Sequence, residues 1–255
     1  MRNSLSGKGV LITGGSSGIG LETAQRLVRA GARVFITGLP PDADVRAAAA
    51  RISTDPRRIG YAVMDSLDPD SVNRASVAAQ EFLGRIDVLV NNAGVASQFS
   101  VTDHDLDRAE AEMRINYFGM FRVTQAVLPG MLAHGQGTIV NVASTLARVP
   151  GPTQANYSAT KAAIAAFSSS LRGEVEDHGV HVTVFVPGLT STGMIQKLNV
   201  EAPYLLDPGV VAKHLVKSIR KHPAEYVTGL SYRSLVLMGR LMPETTRKLV
   251  KRYYR

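Results

Sequence analysis

The chain has 255 residues, 29 basic and 21 acidic side chains, a net charge of +8 and no cysteine. That length suits one large domain or two small ones and is enough for a sizeable core, and 45% apolar residues exclude a disordered chain. The lack of cysteine excludes a disulfide framework, a thiolate metal site and a thiol nucleophile.

The charge is uneven. Residues 233–255 carry Arg233, Arg240, Arg247, Lys248, Lys251, Arg252 and Arg255 against Glu244 alone, which is +6 of the +8. Residues 1–232 are therefore nearly neutral, and the sequence divides into a body and a basic C-terminal tail. No secretory h-region precedes Val10-Leu11-Ile12, and no apolar run approaches the ~18 residues of a membrane span. A cytoplasmic location is the plain expectation.

In chain order, short apolar runs alternate with helical spacing. Val10–Thr13 predicts a strand ending in glycines. Leu21, Ala24, Leu27 and Val28 predict a helix that stops at Gly31. Val34–Thr37 is a second strand, followed by a turn over Gly38–Pro41 and an alanine-rich helix over Asp44–Ile52. Ile59–Met64 is a third strand, Asp70–Leu83 a helix and Ile86–Val90 a fourth strand. The spacing predicts one long helix over Asp103–Leu132, with Pro129 near its end. Thr138–Val142 (strand), Gln154–Asp177 (helix) and His181–Val186 (strand) follow. Residues 189–206 lack periodicity. Pro208–Lys221 is a helix and Glu225–Thr228 a last strand. Continuous apolar strands between amphipathic helices imply a parallel sheet covered on both faces, a single three-layer α/β domain of Rossmann type.

Two segments carry chemistry. The first strand runs into Thr13-Gly14-Gly15-Ser16-Ser17-Gly18-Ile19-Gly20 and then a helix. Glycines there allow a tight turn and close backbone approach to a pyrophosphate, and the helix N-terminus offers free N–H groups. A ligand-free glycine turn is the plain alternative. Tyr157 and Lys161 lie four apart on one helix face. A cation beside a phenol favours the phenolate, which makes Tyr157 a candidate general acid/base. Taken alone, such a pair is more often a solvated face. Ser144 follows the strand 138–142 at the C-terminal sheet edge, where ligands bind in open α/β sheets. The six histidines show no metal-ligand spacing, so no metal is expected; His178 and His181 flank a turn and are expected to be solvated.

The combination of Thr13–Gly20, Asp65, Asn91-Asn92-Ala93-Gly94, Asn116, Ser144, Tyr157, Lys161 and Pro187-Gly188 resembles the short-chain dehydrogenase/reductase family. The resemblance implies an NAD(P)-dependent oxidoreductase acting on a carbonyl/alcohol pair. Tyr157 would pass a proton to or from the substrate oxygen, and Lys161 would hold the cofactor ribose and lower the tyrosine pKa. Ser144 would hydrogen-bond the substrate oxygen, and Asn116 would keep a water in line with Lys161. Gly14, Ser16, Ser17, Gly18, Ile19 and Gly20 would cradle the cofactor, Asp65 its adenine, and Asn92, Ala93 and Gly94 its ribose. Pro187, Gly188, Thr190 and Thr192 would meet the carboxamide, although Thr190 stands where the family usually has an apolar residue.

Cofactor choice departs from the pattern. The acid that would select NAD at the end of the second strand is Gly38, and the basic NADP markers are replaced by Leu39 and Ser17. With the repulsive acid gone and Arg46 or Arg58 within reach, NADP(H) is favoured over NAD(H). The substrate loop is expected at 189–206, with Met194, Ile195, Leu198, Val200, Tyr204 and Leu205, facing a wall of Val149, Pro150 and Gln154. A lipophilic substrate suits this loop; equally, its apolar residues would pack on the core.

In the tail, Pro243 and Glu244 suit a helix start. Leu249, Val250, Tyr253 and Tyr254 fall on one arc and the basic residues on the other. Such a helix lies either on an anionic membrane surface or on its own domain or a dimer mate. Relatives pair through the helices equivalent to 103–132 and 154–177, which implies a homodimer or homotetramer. A non-catalytic dinucleotide-binding regulator is the alternative function, opposed by the presence of all four of Asn116, Ser144, Tyr157 and Lys161. A nucleic-acid binder is disfavoured by 6% aromatics and no tryptophan.

Overall fold

A computed structural model describes residues 4–103, 105–198 and 205–252. Of the expected loop and tail residues, Val200, Tyr204, Tyr253, Tyr254 and Arg255 lie outside these.

The elements run β1 (Gly9–Ile12), α1 (Gly18–Arg29), β2 (Arg33–Gly38), α2 (Asp42–Ile52), β3 (Ile59–Val63), α3 (Pro69–Leu83) and β4 (Val88–Asn91). There follow α4 (Leu106–Met113), a π-helical turn (Arg114–Gly119), α5 (Met120–Ala133), β5 (Gly137–Val142), α6 (Ala155–Val175) and β6 (Val180–Val186). The chain closes with α7 (Pro208–Lys221), β7 (Glu225–Val227), α8 (Leu230–Leu241) and α9 (Pro243–Val250). All seven strands are parallel, in the order β3-β2-β1-β4-β5-β6-β7. The order reverses between β1 and β4, and the crevice at that point is where open α/β sheets place their ligands.

Strand alternation builds the three layers. Val10 and Ile12 face α1, α2 and α7, packing with Leu27, Val45 and Leu215. Leu11 between them faces the opposite side, with Val72 of α3, Val127 of α5 and Leu171 of α6. All four residues of β1 are buried, which is why the strand reads as a continuous apolar run.

Three expectations need correction. The helix expected over 103–132 begins at Leu106, capped by Asp105, and is interrupted by the π turn around Asn116. No proline or glycine pair marks that turn in advance, because it is a shift of hydrogen-bond register. His181 is not solvated: it is half-buried and stacked on His222 at 4.2 Å between ring centroids. The segment Leu230–Leu241, to which the sequence assigns no element, is the helix α8.

The tail docks on the domain. Val236, Thr246 and Val250 are buried, so part of the apolar arc expected on α9 faces the protein. Glu225 accepts from Arg148 and from Arg240 at 2.6 and 2.9 Å, joining α8 to β7 and to the segment after Ser144. No helix among the described residues is long and apolar enough to cross a membrane.

Candidate active site

The crevice is built by two loops that lock together. Thr13 Oγ1, at the end of β1, accepts from the backbone N–H groups of Asn92 and Ala93, both at 3.0 Å. Asn92 Nδ2 answers by donating to the carbonyls of Thr13 and Gly14 at 3.1 and 3.0 Å. Gly14 has φ +62°, and a β-carbon there would stand 2.9 Å from Ala93 Cα. Only glycine supplies this backbone at this separation. Asn91 continues the tie inward, donating to Thr124 and Asn141 at 2.9 and 2.8 Å.

The glycine turn presents the N-terminus of α1. Ser17 caps it without a side-chain hydrogen bond, and no acid occupies the first turn. Its N–H groups and positive dipole end are thus available to a phosphate. Thr192 lies over Gly18, its Cγ2 3.3 Å from where a β-carbon would be. Asp65 and Leu39 are exposed just beyond β3 and β2, at the same sheet edge. The open cradle and charge-free helix end fit the pyrophosphate of a dinucleotide.

The second half of the site is on α6 and the π turn. Asn116 is fully buried. Its Oδ1 accepts from Val95 N at 2.8 Å, and its Nδ2 donates to Val95 O at 2.9 Å and Thr160 Oγ1 at 3.0 Å. Thr160 in turn donates to the carbonyl of Tyr157 at 2.8 Å. Lys161 Nζ lies 5.6 Å from the centroid of the Tyr157 ring and donates to Val142 O at 3.1 Å. Burial pushes the Lys161 ammonium down to about 8, against the opposing charge of Glu112. Gly94 leaves room for the pair: a β-carbon there would stand 3.0 Å from Asn116 Oδ1 and 3.4 Å from Lys161 Nζ.

Ser144 and Tyr157 line one cleft with Gln154, Met194, Ile195 and Leu198. Pro187, Gly188, Thr190 and Thr192 line it too. Ser144 Oγ accepts from Leu146 N at 3.2 Å, and Thr190 Oγ1 donates to Gly188 O at 2.7 Å. The hydroxyl of Thr190 is thus occupied locally, while its neighbour Thr192 overlies the glycine turn.

The expected wall of Val149, Pro150 and Gln154 is corrected. Val149 is buried against Gly239, Pro150 is exposed, and Thr145 and Leu146 take their place beside Gln154. The basic residues also change. Arg58 donates to Gly31 O at 2.7 Å, at the N-terminal edge of the sheet and away from the crevice. Arg46 faces Asp42 at 3.9 Å. Arg51, at the end of α2, is the guanidinium that reaches the glycine turn, with Nη2 3.5 Å from Ser16 O. Sequence reading missed Arg51, and it missed Glu112, a carboxylate 1% exposed. The signal for Glu112 was its place one helical turn before Asn116, on the same inward face.

A family model described as short chain dehydrogenase matches residues 8–202. Oxidoreductase UcpA of Escherichia coli strain K12 is 34% identical over 260 residues, covering 94% of this chain and 97% of UcpA. Dehydrogenase/reductase SDR family member 7B of Bos taurus is 34% identical over 190 residues, covering 72% of this chain. Only 58% of that longer relative is spanned. A crystal structure of a short chain dehydrogenase from Burkholderia cenocepacia in complex with NADP superposes with a TM-score of 0.81 at 26% identity, over 95% of this chain and 96% of that one. With the glycine cradle and the Tyr157–Lys161 turn meeting at the switch point of the sheet, the chain belongs to the short-chain dehydrogenase/reductase family and is an NAD(P)-dependent oxidoreductase.

Proposed function

We propose that the chain interconverts a lipophilic ketone and its secondary alcohol with NADP(H), using Tyr157 as general acid/base. The observation that carries this reading is the buried Lys161 ammonium 5.6 Å from the Tyr157 ring, at the cleft that Tyr157 shares with Ser144. When bound, the nicotinamide supplies or accepts the hydride. The residues manage the oxygen. As negative charge grows on a carbonyl oxygen, the Ser144 and Tyr157 hydroxyls donate to it, and Tyr157 gives up its proton. Lys161 stabilises the resulting phenolate by charge. Asn116 holds Val95 and Thr160 and so sets the turn of α6 that carries both groups.

The glycine turn, Asp65, Asn92, Ala93, Gly94, Pro187, Gly188, Thr190 and Thr192 are proposed to hold the dinucleotide. Selection of NADP(H) is supported by the missing acid at Gly38 and by Arg51. A β-carbon at Gly38 would stand 2.8 Å from Ser16 Oγ, so the end of β2 offers a hydroxyl and a nearby guanidinium in place of a carboxylate. Such a set favours a 2′-phosphate.

The segment 189–206 is proposed as the substrate loop, because Met194, Ile195 and Leu198 make the cleft apolar. Gln154 adds a requirement. It is 1% exposed, and neither side-chain amide atom has a hydrogen-bond partner among the described residues. An unpaired buried polar group costs about 1–3 kcal/mol, so a substrate with a second polar group near its carbonyl is favoured. A panel of ketones with and without such a group, run with wild type and Tyr157→Phe, tests the reading. Tyr157→Phe is expected to lose turnover and keep cofactor binding; retained turnover would falsify it.

Pairing of two copies through α5 and α6 is supported by exposed Phe118, Phe121 and Leu132. We also read 233–255 as a tail that meets anionic membrane surfaces, supported by exposed Leu237, Leu241 and Met242 and by exposed Lys248, Lys251 and Arg252. Charge reversal at those three cations should abolish flotation with anionic vesicles.

A further inference from the structure

Glu112 repeats, one turn earlier, what Asn116 does. Its Oε1 accepts from Ser97 N at 2.7 Å and its Oε2 from Asn156 Nδ2 at 2.5 Å. Asn116 holds Val95 and Thr160. Two side chains four apart thus bridge the same two neighbours. On one side is the segment after β4, at Val95 and Ser97. On the other is α6, at Thr160 and Asn156. The spacings agree: four helical residues rise about 6 Å, and two residues of chain span up to about 7 Å. The result is a two-rung ladder between the β4 segment and the turn that carries Tyr157 and Lys161.

The second rung is costly. A carboxylate buried to 1% exposure loses its hydration, and an apolar side chain would fill the same helix position without that penalty. Its hydrogen-bond partners among the described residues, Ser97 N and Asn156 Nδ2, are both donors, and Asn156 is oriented for it by a further bond from Nδ2 to Ala109 O at 3.1 Å. Burial raises the Glu112 carboxyl, opposed by Asn156, by Ser97 and by the charge of Lys161. The titratable groups facing Lys161 among the described residues are Tyr157, one turn earlier on α6, and Glu112 from α4. The β4 segment presents Gly94 and β5 presents the Val142 carbonyl, neither of which titrates.

We propose that Glu112 is a positioning residue for proton transfer: it sets the register of α6, and with it Tyr157 and Lys161, against the β4 segment. Its negative charge also favours the ammonium form of Lys161. This rests on the proton-transfer roles given above to Tyr157 and Lys161.

The test uses the full chain, NADPH and the best ketone of the panel above, with Glu112→Gln, Glu112→Ala, Asn156→Ala and Tyr157→Phe. We expect kcat to fall about 10-fold in Glu112→Gln and about 100-fold in Glu112→Ala, as for a displaced catalytic group. The NADPH dissociation constant should stay within about threefold. The alkaline limb of kcat/KM should move to lower pH by about half a unit or more in both Glu112 variants. Asn156→Ala should lower kcat with the limb unmoved, because the charge remains. A fall in kcat that tracks a lower Tm, with the limb in place in Glu112→Gln, would reduce Glu112 to a structural group and overturn the proposal. So would Glu112 variants with normal kcat alongside an inactive Tyr157→Phe. Turnover by Tyr157→Phe would remove the underlying reading and the proposal together. Should Glu112→Ala fail to fold, the isosteric Glu112→Gln and the half-buried Asn156→Ala carry the comparison.

Discussion

The Lys161 ammonium donates to the carbonyl of Val142 at 3.1 Å, which ties a buried cation of α6 to the last residue of β5. Burial brings that ammonium down from 10.5 to about 8, with Glu112 opposing the shift. The folded chain therefore releases this proton before the unfolded chain does. Carbonyl reduction that needs the cation should lose kcat/KM as pH rises through about 8; a flat profile to pH 10 would contradict this.

The same shift has a sign for stability. Between about 8 and 10.5 the unfolded chain holds more protons at this site, so stability from this group rises with pH across that window. At neutral pH the buried charge is a burden. Lys161→Met should be inactive and should lack the rise in stability that wild type shows between about pH 8 and 10.5, as measured by thermal denaturation across that range.

Arg51 tests cofactor choice. Its Nη2 lies 3.5 Å from Ser16 O at an exposed position. Replacing it by alanine should weaken NADPH about 10-fold, the low end of a hydrogen bond to a charged group. The NADH dissociation constant should not change. Equal weakening of both cofactors would assign Arg51 to the glycine turn and not to a 2′-phosphate.

Asn92 tests the lock between β1 and β4. Its amide serves the carbonyls of Thr13 and Gly14. Asn92→Ala leaves both without that donor and should cost about 1–2 kcal/mol, a Tm loss of about 2–8 °C for a domain of this size. Cofactor affinity should fall with it, because the cradle is no longer held.

His222 supplies a pH dependence of the same sign in a lower pH range. Burial and the stacked His181 hold its pKa below the usual 6.5. The unfolded chain takes up this proton first as pH falls, so stability drops below about 6.5. His222 also has φ +49° at the end of α7, a conformation asparagine tolerates. His222→Asn should lose less stability than wild type between pH 7 and pH 5 in urea unfolding.

Strand and helix periodicity were legible because each residue's burial is set by its own element. Val10-Leu11-Ile12 reads as apolar throughout because both faces of β1 are covered. The glycine turn and the Tyr157–Lys161 spacing were legible because local backbone geometry dictates them. The π turn at Arg114–Gly119 was not, since it changes hydrogen-bond register without a residue signature. Helix α8 was not legible because its inward face is narrow: Val236 is its one buried side chain.

The sequence by itself determined the parallel three-layer sheet, the cradle and the residue types of the site. Only the tertiary structure decided which distant groups meet: Glu112 with Asn156, Arg51 with the glycine turn, Gln154 in the cleft and Arg58 away from it. Local rules act over a few residues of chain. These contacts join residues tens of positions apart, and they depend on how helices rotate and pack against the sheet.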